Sequence, residues 1–141
     1  MKSRWLNLTN HWVWMLPLLL IVAGLAIRQM DRFPISVDEL LSMNNAGYFG
    51  QDASIPSILA NLENYSAQHV PAYFLILGAV SNILGWIPPA LRMVSVWFGL
   101  LALAWVYRLG RDYHSSAAGL YAAVFMAGLT LYSYYYAHIR M

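Results

Sequence analysis

The chain has 141 residues, of which 60% are hydrophobic and only 10% charged, with a mean hydropathy of +0.52; a soluble domain carries roughly 25% charged residues, so this composition points to an integral membrane protein. Eight Lys and Arg against six Asp and Glu leave a net charge of +2, and the basic residues form no stripe or run, which excludes nucleic acid as a partner. No cysteine is present, so disulfides, thiolate metal sites and thiol nucleophiles are excluded, and any chemistry falls to His, Asp, Glu and Arg.

The expected fold class is all-α, a polytopic membrane helix bundle with amphipathic juxtamembrane helices in a large first outer loop. The first apolar block, Trp12 to Ile27, lies between Lys2 and Arg4 on one side and Arg28 on the other. A cleaved signal peptide shares that basic start, but no small-x-small cleavage site leading into polar sequence is evident, so the block reads as an uncleaved span. The one long polar stretch follows, Arg28 to Gln68. Within it Ser36-Val37-Asp38-Glu39 has the pattern of a capping box, with Ser36 as N-cap,. It opens a helix through about Tyr48 whose apolar contacts are Leu40, Leu41, Met43 and Tyr48, and Gly47 and Gly50 mark its end. A second helix begins near Ser54, accepts Pro56 in its first turn, and sets Ile55, Ile58, Leu59 and Leu62 on one face,. Both are expected to lie at the outer water–lipid boundary and to floor a site there.

Three further apolar blocks come next: Pro71 to Ile87, Leu91 to Tyr107, and Ala117 to about Tyr136. Cytoplasmic loops are enriched in Lys and Arg, so the Lys2/Arg4 start and the Arg108-Leu109-Gly110-Arg111 break belong inside,. The acidic loop, with Asp31, Asp38, Glu39, Asp52 and Glu63 against Arg28 and Arg32, suits the outside. Four full crossings would put Arg108 and Arg111 outside. The block that fails to cross is expected to be 71–87, which is shorter than the roughly 20 residues a span needs and is bounded by prolines. It is read as a juxtamembrane or re-entrant helix on the outer side. The spans are then about 12–27, 91–107 and 117–136, with the outer loop running over 28–90, and Asp38, His69 and Arg140 share the outer face.

Asp38 and Glu39 are adjacent acids at a helix start. The capping box and the helix dipole account for Glu39 structurally, whereas Asp38 has no capping role and is the better candidate for a base or metal ligand. His69 stands where the polar loop turns into the Pro71 helix; a helix-start cap or a satisfied interfacial side chain explains it more readily than a site does. His11 and His114 have ordinary places in flanking segments. Arg92 and Arg140 lie at span ends, where snorkelling explains both, but an outward Arg140 beside acids can also hold a phosphate bidentately. The tyrosines 132, 134, 135 and 136 read mainly as an interfacial aromatic belt,. No Gly-rich phosphate loop, His-Glu-x-x-His or nucleophile elbow is present.

The order Val37-Asp38-Glu39, His69-Val70-Pro71-Ala72-Tyr73-Phe74, Leu91-Arg92-Met93-Val94-Ser95, Tyr107-Arg108-Leu109-Gly110-Arg111 and Ala137-His138-Ile139-Arg140-Met141 resembles the N-terminal part of the GT-C membrane glycosyltransferases, of the protein O-mannosyltransferase and aminoarabinose-transferase type. The resemblance covers about Ile35 to Met141. It implies transfer of a sugar from a polyprenyl-phosphate-linked donor to an acceptor lipid, glycan or protein, in the bilayer of a bacterial or archaeal cell and on its outer face. It further implies that Asp38 is the catalytic base, that Glu39 supports it, and that His69, Tyr73 and Arg140 contact substrate. His138 stands where the resembling motif carries an acid, so a divalent metal such as Mg or Mn, if used, would be bound through Asp38 and His138. Because the family's chains are several times longer, the chain is expected to be an N-terminal fragment, inactive alone. The alternative from a different class is a small non-catalytic membrane scaffold or assembly subunit.

Overall fold

A computed structural model of the chain describes residues 11–30, 32, 34–50, 53–129 and 138–139. The described residues are helical, with six α-helices and no strand. A short 3-10 turn, His11–Trp14, leads into α1, Met15–Gln29. Next come α2, Val37–Asn45, and α3, Ile55–Tyr65. Of the remaining helices, α4 spans Pro71–Leu84, α5 Pro88–Tyr113 and α6 Ser116–Gly128.

Local chemistry sets most of these boundaries. At the start of α2 the Glu39 amide donates to Ser36 Oγ (3.2 Å), and the Ser36 amide donates to Glu39 Oε2 (3.0 Å), so the expected capping box forms. The helix is shorter than expected, because it stops at Asn45 and gives way to a turn in which Gly47 and Gly50 take positive φ. Prolines open α3, α4 and α5, where a missing N–H costs nothing,. Gly85, at φ +78°, ends α4 at Leu84, three residues before the expected Ile87,. The helix at the expected second span, 91–107, is longer at both ends. It begins at Pro88 and continues through the Arg108–Arg111 break to Tyr113, where Arg108 and Arg111 both donate to Asp112 and support the last turn,. Ser115 caps α6 by accepting from the Ala118 amide, while the expected continuation of that block over 130–136 lies outside the described residues.

One described helix, α5, is long and apolar enough to cross a membrane; α1, α4 and α6 are shorter apolar helices. Helix α5 joins two cores. Toward its C-terminal half, Leu103 and Tyr107 pack with Val22 and Ala26 of α1 and Ala123 of α6. At its N-terminal end, Leu91 and Val94 join Met43, Ile58, Leu62, Phe74, Leu77 and Ile139 around the short helices. On α3, burial is confined to Ile58, Asn61 and Leu62, so the expected apolar face is narrower than its sequence spacing implies, with Ile55 and Leu59 exposed.

The α5–α6 hairpin is held by glycine on both sides. A Cβ on Gly110 would stand 2.6 Å from Gly119 Cα, and one on Gly119 would run into the Tyr107 carbonyl oxygen. Backbone cannot yield as a side chain does, so Gly119→Ala is expected to destabilise the fold by about 1–3 kcal/mol. Gly24→Ala, on α1 with nothing within 4 Å, is the control and is expected to be neutral or slightly stabilising. Thermal unfolding followed by circular dichroism in detergent reads both.

Candidate functional site

The N-terminal end of α2 is fixed by a buried ion pair. Glu39 is fully buried and Arg92 is 3% exposed. The guanidinium meets the carboxylate as a fork, Nε to Oε1 and Nη2 to Oε2, both at 2.8 Å,. Arg92 Nη1 also donates to the Met30 carbonyl just beyond α1, and Nη2 reaches the Pro34 carbonyl at 3.4 Å. The Ile139 amide donates to Glu39 Oε1 (3.0 Å) across a sequence separation of 100 residues. One carboxylate thus ties α2, α5 and the 138–139 segment together. Burial opposes the charge on Glu39, but the Arg92 hydrogen bond, the Ser36 and Ile139 amides and the Arg92 charge outweigh it, lowering the carboxyl from its ordinary 4.5 to about 2,.

Beside this anchor lies a cavity of about 330 Å³. Asp38, Ser42 and His69 contribute to its lining, as do Asn45, Ser66 and Gln68, and the apolar part comes from Leu41, Tyr65 and Phe74. Consecutive helix positions point about 100° apart, so with Glu39 turned into the core its neighbour Asp38 is left on the exposed side of the helix. His69 is set by its backbone, whose amide donates to the Ser66 carbonyl (2.9 Å), and its ring meets the Phe74 ring edge-on at 5.9 Å. Asn45 Nδ2 donates to Ser66 Oγ (3.0 Å) and closes one side of the cavity.

Two of the sequence-predicted residues, Asp38 and His69, therefore line one cavity although they are 31 positions apart. Glu39 lies behind it, with both carboxylate oxygens committed to hydrogen bonds, and so acts as a positioning residue. Tyr73 is also off the cavity wall. It is buried, and its hydroxyl bonds Ser95 Oγ at 2.9 Å between α4 and α5. His138 is buried, while Arg140 lies outside the described residues. No group of three or more His, Asp or Glu that could hold a metal ion occurs among the described residues.

Sequence reasoning missed Arg92, which snorkelling was expected to explain. The available signal was its position: the fifth residue of a helix, between Leu91 and Met93, in a chain with only six acids to satisfy its cations. Asn45, Ser66, Gln68 and Tyr65 were not anticipated either. No protein-family model, curated protein or solved structure matches the chain.

Proposed function

We propose that the protein is a membrane glycosyltransferase of the GT-C type, transferring a sugar from a polyprenyl-phosphate-linked donor to an acceptor on the non-cytoplasmic face. The observation that carries this reading is the meeting of Asp38 and His69 on one cavity, anchored from behind by the Glu39–Arg92 pair. In the proposed reaction the acceptor hydroxyl oxygen attacks the anomeric carbon, Asp38 takes its proton, and the anomeric carbon–oxygen bond breaks with its electrons leaving on the phosphate. That leaving group is already charged and needs a cation rather than an acid, a role assigned to Arg140.

In the corresponding multi-pass arrangement α1, α5 and the block beginning with α6 cross the membrane, and α2, α3 and α4 lie on its outer side. The separation of charges along α5 supports it. Arg92 and Arg108 are 16 residues apart, which is about 24 Å of helix, and so they sit near opposite faces of a hydrocarbon layer roughly 30 Å thick.

Two measurements test the proposal. Reconstituted in liposomes with a polyprenyl-phosphate sugar, the full-length protein is expected to support donor-dependent transfer to an acceptor. Because the chain has no cysteine, single cysteines report topology cleanly, and one at Gln68 is expected to label from outside while one at Ser115 is protected. Labelling at Ser115 from outside would overturn the arrangement. Correct topology without transfer would favour the scaffold.

A further inference from the structure

We propose that the cavity beside α2 is an acceptor subsite for a neutral polyhydroxylated ring, a sugar rather than a phosphate or a prenyl chain; this rests on the transferase reading only for the word acceptor. Three features of the wall point the same way. First, its acidic side is the Asp38 carboxylate, which repels an anion, and the remaining polar lining is amide, hydroxyl and imidazole,. Second, the hydrogen-bonding inventory matches hydroxyl groups. Asn45 spends one N–H on Ser66 Oγ, which leaves the amide a second N–H and a carbonyl, and leaves the Ser66 hydroxyl its own proton to donate. The Gln68 amide adds another donor and acceptor pair on the same cavity. Adjacent donors and acceptors of this kind suit the alternating hydroxyls of a pyranose, each of which both gives and takes a hydrogen bond.

Third, the apolar part of the wall is small and, apart from Leu41, aromatic. Tyr65 is 73% exposed, while Phe74 is buried against His69, so of the two rings it is Tyr65 that an entering sugar can stack on. Aromatic faces supply apolar contact area for the C–H side of a sugar at low entropic cost. A volume of about 330 Å³ sits at the lower end of the roughly 300–1,000 Å³ typical of ligand sites, which suits one ring and not a polyprenyl tail. The ring's hydroxyl nearest Asp38 is then the nucleophile, and the amides select which hydroxyl that is.

Binding and turnover separate the possibilities. In lipid nanodiscs free of sugar detergents, saturation-transfer NMR with methyl hexopyranosides is expected to show contact, and inorganic phosphate is expected not to compete. Gln68→Ala and Tyr65→Ala change exposed side chains and leave the fold intact, so each is expected to weaken glycoside binding about tenfold, the scale of one to two hydrogen bonds or a lost ring contact. Asn45→Ala, at a buried position, should do the same if the helix pair still packs. In transfer assays with the full-length protein these variants are expected to raise the acceptor KM and leave the donor KM unchanged. Phosphate competition, absence of glycoside contact in the wild type, or a change confined to the donor KM would each overturn the proposal. Glycoside binding lost in Gln68→Ala, with no transfer by any variant or by wild type, would instead reject the transferase reading and leave a sugar-binding site.

Discussion

Replacement of Asp38 by Asn in the full-length protein is expected to lower donor-dependent transfer by about 10²-fold or more, the scale of a lost general base. The substitution keeps the size and shape of the side chain and removes its charge together with its ability to take a proton. Asp38 is exposed and off the core, so the fold should change by no more than about 0.5 kcal/mol. The expected signature is therefore a fall in kcat at unchanged thermal stability and unchanged membrane insertion. Undiminished transfer would reduce Asp38 to a charge that favours the helix start through the dipole.

The second large effect falls on the positioning pair. Glu39→Gln leaves Arg92 buried with its fork half-unanswered, and Arg92→Met leaves a buried carboxylate; each is expected to cost about 3–5 kcal/mol, the range for breaking a buried pair from one side. The double variant removes both charges together and is expected to recover a substantial part of that loss, a coupling visible only in the full cycle. The pH dependence follows from the lowered carboxyl. Its folded value is about 2 against an ordinary 4.5, so its contribution to stability is complete above 4.5 and is lost as pH falls toward 2. Acid unfolding monitored between those values should show this loss in the wild type and not in Glu39→Gln. Identical acid profiles would mean that the pair contributes no net stability.

What could be read from the sequence was mostly local. The capping box and the proline-started helices depend on residues three or four apart, and Ser36, Glu39, Pro56 and Pro71 announce them directly. The shared cavity of Asp38 and His69 was expected from a resemblance in motif order, and its geometry came only with the coordinates. Arg92 shows why: its carboxylate partner lies 53 residues away, and no periodicity or spacing encodes such a contact. The same holds for the polar wall, where Asn45 and Ser66 are 21 residues apart and each alone resembles an ordinary helix-end residue. The Arg108–Arg111 break misled in the opposite direction, because charges that suggest a loop instead stabilise the end of a long helix through Asp112.

The amide of Ile139 on the Glu39 carboxylate also imposes an order of assembly. Chains grow at about 5–20 residues per second, and 100 residues separate donor from acceptor, so the carboxylate waits about 5–20 s after its own synthesis for that last bond. The guanidinium of Arg92, 53 residues on, arrives earlier and neutralises the charge in the interval. Helix α2 is therefore held in an electrostatically matched but incomplete state while the rest of the chain is made. A nascent chain halted before residue 139 should carry α2 docked yet more open to protease than the released protein, making the arrival of Ile139 the step that completes the carboxylate's hydrogen bonds.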